Sequence, residues 1–140
     1  MSDIDIAIEN LHGHSICLCR HGEIIFDDGK GISPMMKFIA AGRDLRGYCA
    51  ADLIVGKAAA MLFVKAGIAE VYGETMSKAG SEYLRSHGIP FSYDNLTDRI
   101  INRKGDGICP MEKAVADISD PEEGYKVLKQ KITELQNSGK

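Results

Sequence analysis

Twenty residues, Gly47 to Ala66 (GYCAADLIVGKAAAMLFVKA), constrain this chain more than any others. They are apolar almost all the way round a helical wheel. The reading they invite is one long helix, buried on more than one side. Cys49 and Asp52 stand at its entrance, and Lys57 sits in its middle among small residues. Gly56 and Ala60, four apart, leave one face nearly bare, so a neighbour can approach closely. Glycine inside a helix costs about 1 kcal/mol relative to alanine, and close packing accounts for tolerating it here.

The rest of the chain reads in short elements. Ser2 to Leu11 carries Ile4, Ile8 and Leu11 on one stripe and predicts a first helix. His14 to Arg20 and Glu23 to Asp27 predict a hairpin turning at His21-Gly22. Ile16 and Leu18 face one way and Ser15, Cys17 and Cys19 the other, so this strand is covered on both faces and its thiols act as small buried hydrophobes. Ser33-Pro34 opens a short helix, with serine as its cap. Beyond Gly67, Ile68 to Tyr72 reads as a strand, Ser77 to His87 as a helix and Ile89 to Tyr93 as a further strand. Alternation of this kind asks for parallel strands joined by right-handed crossovers. Arg99 to Asn102 offers a last strand, and Pro110 opens a short helix reaching about Ile118. A final helix starts at Asp120-Pro121, with Tyr125, Leu128, Ile132 and Leu135 as its apolar stripe.

Composition excludes several function classes. With 140 residues there is one domain, covering 1–140. A net charge of −3 and a pI near 5.8 provide no basic field to draw in nucleic acid or an anionic membrane. No apolar run reaches the roughly 18 residues of a membrane span. MSDIDIAIEN lacks the basic start and long apolar core of a signal peptide, which places the chain in the cytoplasm. The four cysteines are then expected as free thiols.

Three constellations could carry chemistry. Cys109 precedes Pro110 at a helix start, where free N–H groups favour a thiolate; Glu112, three residues on, matches a capping-box position. Cys109 is thus a candidate nucleophile with Lys57, Glu112 or Asp52 as proton partner, or a buried structural cap. Cys49, Asp52 and Lys57 form the second set. Asp52 could complement a helix dipole, and Lys57 could snorkel to water or reach a carboxylate or a ligand phosphate. The third is Asn102-Arg103 beside the glycine-flanked turn Gly105 to Gly107, where backbone N–H groups can hold an anion. The histidines, His12, His14, His21 and His87, fall near element ends and read as surface or turn residues.

Helix, hairpin, helix, strand, helix, strand is an order that resembles the cytidine-deaminase-like fold. In that fold a zinc is held by a His or Cys opening one helix and by Pro-Cys-x-x-Cys opening the next. Here Gly47 to Asp52 lies where the first signature belongs and Val71 to Gly80 where the second belongs, and the second holds no cysteine. More specifically, Asp52, Val55-Gly56-Lys57-Ala58-Ala59-Ala60, Ile101-Asn102-Arg103, Gly107 and Cys109-Pro110-Met111-Glu112 resemble a small uncharacterised prokaryotic family, a domain of unknown function with this fold. A catalytic zinc needs about three protein ligands, and Cys49 alone stands near the right place. The expectation is therefore a protein without metal or cofactor.

Together these readings predict a three-layer α/β/α domain with a mixed sheet of about four or five strands. Ligands of open α/β sheets bind beyond the carboxyl ends of the strands. The predicted pocket lies where Cys49, Asp52 and Ser77 open helices, with Lys57, Asn102 and Arg103 in reach and Cys109 and Glu112 at its border. A small anionic or nucleotide-like ligand is expected there. The alternatives are a cysteine-dependent enzyme using Cys109 and a non-catalytic homodimeric interaction module.

Overall fold

The computed structural model describes residues 2–101, 105 and 107–138, the Ser138 side chain excepted. Its elements are α1 (Asp3–Glu9), β1 (Ile16–Arg20), β2 (Glu23–Asp27), α2 (Ser33–Ala40), β3 (Cys49–Val55), α3 (Lys57–Ala66), β4 (Glu70–Ser77), α4 (Lys78–Ser86), β5 (Phe91–Thr97), α5 (Pro110–Val115) and α6 (Pro121–Ser138). Five strands form one mixed sheet in the order β2-β1-β3-β4-β5. β1 is antiparallel to both neighbours, and β3, β4 and β5 run parallel.

The long helix expected over Gly47 to Ala66 is two elements. Cys49 to Val55 is the central strand and only Lys57 to Ala66 is helical. The physical reason lies in burial. A strand covered on both faces shows the same unbroken apolar run as a buried helix. Gly56 is therefore not a mid-helix residue but the extended N-cap between strand and helix (φ −100, ψ −171). Cys49 and Asp52 consequently sit within β3 and open no helix.

Other expectations fare better. His21 and Gly22 both take positive φ in the β1–β2 turn. Cys17 and Cys19 are fully buried on the face opposite Ile16 and Leu18. Ser33 does not cap α2, since its hydroxyl donates to the Lys30 carbonyl instead. Arg99 to Asn102 is no full strand within the described residues; Ile101 makes an isolated antiparallel bridge to Ile108. Asn102 itself and Arg103 lie outside the described residues.

The sheet separates two apolar clusters. On one face Phe63, Met61, Leu62, Leu84, Val115 and Leu128 bring α3, α4, α5 and α6 together over Leu18, Val55, Val71 and Met76. On the other, Ile4 and Ala7 of α1, with Leu11 just beyond it, cover Cys17, Cys19, Cys49, Ala51 and Tyr72. This is the expected three-layer arrangement, with a single short helix as its thin layer. Among the described residues no helix is long and apolar enough to cross a membrane.

Candidate functional site

β3 and β4 end side by side, at Val55 and Ser77, and each runs at once into a helix. At the first junction Gly56 leaves the start of α3 open, and the Glu112 carboxylate fills the opening. Its Oε1 accepts the backbone N–H of Lys57 and its Oε2 that of Ala58, both at 2.8 Å. A helix start leaves such N–H groups without intrahelical partners and favours negative charge, so Glu112 is an N-cap delivered from a distant helix. A Cβ at position 56 would lie 2.3 Å from Oε1, so any residue but glycine would displace the Glu112 carboxylate. Gly80 of α4 presses on the same junction, where a Cβ would lie 2.9 Å from the Val55 carbonyl oxygen. Glu112 therefore closes no capping box on Cys109; it caps another element.

At the second junction Ser77 caps α4, its hydroxyl accepting the Gly80 N–H at 3.0 Å. The Lys57 ammonium donates to the Ala116 carbonyl at 2.9 Å, so Lys57 is tied to α5 through side chain and backbone alike. Tyr83 donates its phenol proton to the Ser119 carbonyl at 2.6 Å and joins α4 to the α5–α6 link.

A groove of about 530 Å³ opens between these parts. Lys57, Ser77 and Glu112 line it, with Glu82, Tyr83, Ser86 and His87 from α4, Asp98, Arg99 and Ile100 after β5, and Ile108 and Ile118 beside α5. Two of its acids, Asp98 and Glu112, are already matched. Asp98 pairs with Lys78 at 2.8 Å, which holds its carboxyl below the usual range, and Glu112 is taken up by the α3 N–H groups. Lys57 has no carboxylate within ion-pair distance among the described residues.

Of the predicted site residues, the structure brings Lys57, Ser77 and Glu112 together. Cys109 is the N-cap of α5 as expected, half-buried and without a side-chain cap bond, adjacent to the groove but not in its lining. Asp52 is 8% exposed within β3. Burial pushes its carboxyl up to about 7, against the backbone N–H bonds of Ile54 and Leu53. Burial likewise pushes the Cys49 thiol up to about 11, with the Glu70 charge adding to it. Neither lines the groove. Tyr83, His87 and Arg99 escaped the sequence reading. The signal for the first two was the stripe Glu82, Tyr83, Ser86, His87 on one helix face. Among the described residues no three His, Cys, Asp or Glu side chains gather to hold a metal ion.

Fold and groove together define an α/β/α domain with a mixed five-stranded sheet and a recess at the carboxyl ends of its parallel strands. A family model described as TM1506, domain of unknown function (DUF1893), matches residues 7–132, and the chain belongs to that family. The crystal structure of a DUF1893 family protein from Thermotoga maritima superposes with a TM-score of 0.80 at 27% identity, covering 89% of this chain and 84% of that one. A diaminohydroxyphosphoribosylaminopyrimidine deaminase/5-amino-6-(5-phosphoribosylamino)uracil reductase from the same organism matches with a TM-score of 0.47 at 20% identity, over 64% of this chain and 34% of that one. No curated protein matches the chain.

Proposed function

We propose that this domain is a cytoplasmic binding protein for a small anionic or nucleotide-like metabolite, which it holds in the groove beside the starts of α3 and α4. The observation that carries this reading is the Lys57 ammonium. It lines a recess of about 530 Å³, within the size range of small-molecule sites, donates to the Ala116 carbonyl and has no carboxylate within ion-pair distance among the described residues. Ser77 adds a hydroxyl on the same wall. The anion meets Lys57 and not the α3 N–H groups, because Glu112 already occupies those. Native mass spectrometry of freshly purified protein, set beside its denatured mass, tests the reading. A mass lost on denaturation identifies the ligand. A bare chain that also ignores a panel of nucleotides and anionic metabolites overturns the proposal.

A second reading is a homodimer built on the sheet edge. β5 is the last strand of the sheet, and residues 92–96 are all exposed, including Tyr93 at 40% and Leu96 at 44%. An open edge strand without proline or lysine is a template for pairing with another chain. A monomer in sedimentation at high micromolar concentration removes this reading.

A further inference from the structure

The charges of the groove bear on how much anion it can take, an inference that rests on the anion-binding reading above. Three carboxylates, Glu82, Asp98 and Glu112, line the same recess as Lys57. Lys78, outside the lining, is committed to Asp98. Among the described residues the cations of the lining are thus few: Lys57, with no carboxylate within ion-pair distance, and Arg99, an exposed residue beside Asp98. One anionic group can be matched by this pair. A chain of phosphates would extend past it towards fixed carboxylates, and like charges at that range repel.

Part of the remaining wall is apolar. The Tyr83 ring lies under the Lys57 ammonium, 6.0 Å from centroid to Nζ, and packs edge-on against His87 at 4.3 Å. Ile100, Ile108 and Ile118 complete that wall with half-buried side chains. A planar body resting there would place its head group at Lys57.

We infer that the groove selects compact metabolites carrying a single phosphoryl or carboxylate head on a flat apolar body, and rejects polyphosphates. The head meets Lys57 and Arg99, and the body packs on Tyr83 and the isoleucines.

Calorimetric titration of the full chain with phenyl phosphate, benzoate, inorganic phosphate and ATP tests this, with Lys57→Met and Arg99→Gln as variants. Phenyl phosphate or benzoate is expected to bind at least about tenfold tighter than ATP and inorganic phosphate, and to lose about tenfold or more in K57M, with a smaller loss in R99Q. Phenyl phosphate ahead of benzoate assigns a phosphoryl head, and the reverse a carboxylate. ATP binding as tightly as phenyl phosphate overturns the single-head inference while leaving an anion-binding groove. Silence from all four ligands overturns the groove reading itself. Unchanged affinity in a K57M protein of wild-type circular dichroism overturns the assignment to this groove.

Discussion

Gly56 and Glu112 are fitted to one another: a Cβ on the glycine would stand 2.3 Å from the carboxylate oxygen that the Lys57 N–H donates to. Glu112 would have to swing away to admit even a methyl group, and both cap bonds would go with it. Gly56→Ala is therefore expected to cost about 1–3 kcal/mol in urea unfolding, the range for losing a helix cap and leaving its donors unpaired. Glu112→Ala should cost a similar amount. Because both changes remove the same two bonds, the double variant should cost clearly less than the sum of the singles. Additive losses would show that Gly56 is destabilised by something other than Glu112.

Gly80 is the harder case. Its missing Cβ faces backbone atoms, the Val55 carbonyl oxygen at 2.9 Å and the Gly56 carbonyl carbon at 3.0 Å, neither of which can rotate aside. Gly80→Ala should force α4 off the β3–α3 junction, destabilising the domain by about 1–3 kcal/mol as overpacking does. A chemical-denaturation midpoint equal to wild type would contradict this packing.

Asp52 sets a pH dependence. Its carboxyl is raised to about 7 in the folded chain from an ordinary value of 3.8, because β3 buries it. The folded state then binds the proton more tightly than the unfolded state. Its contribution to stability is fully present below about pH 4, is lost as pH rises through about 7, and stays lost above. Asp52→Asn should therefore raise stability at about pH 8, by an amount on the order of a few kcal/mol, and flatten the decline between about pH 4 and 7. Parallel stability–pH curves for the two proteins would rule out this titration.

The four thiols should separate cleanly in alkylation. Cys17, Cys19 and Cys49 are buried, and the Cys19 S–H donates to Asp3 at 3.6 Å; Cys109 is half-buried. Iodoacetamide under native conditions is expected to modify Cys109 first, and Cys109→Ser should abolish the early phase. Early labelling of Cys19 or Cys49 would mean instead that α1 lifts readily from the sheet.

How far these features were legible in the sequence depended on their range. The hairpin at His21-Gly22, the two-faced burial of β1 and the Asp120 start of α6 rest on local signals: turn residues, alternation and a cap. Asp120 does accept the Glu123 N–H at 3.2 Å. The strand Cys49 to Val55 was hidden because AADLIV has no period that separates a doubly covered strand from a buried helix. Taking Asp52 as a helix-entrance residue followed from that misreading. The site was half legible. Lys57, Ser77 and Glu112 stood out by residue type and do meet, yet Glu112 looked like the local partner of Cys109, because nothing in the order of residues reveals a cap supplied to a different helix. Tyr83 and His87 passed as ordinary members of an amphipathic helix.

The reach of the Glu112 cap has a consequence for how the chain assembles. Its two acceptors serve donors 55 and 54 residues earlier in sequence. During synthesis α3 and the β3–β4 pair are complete well before Glu112 has been made, and until then the first turn of the central helix has only water for its N–H groups. The centre of the sheet therefore reaches its final stability late, when the last quarter of the chain docks. Closing so long a loop adds to the non-local contacts that slow folding. Nascent chains halted ahead of α5 should fray at Lys57, and their protection from hydrogen exchange there should appear only with the arrival of Glu112.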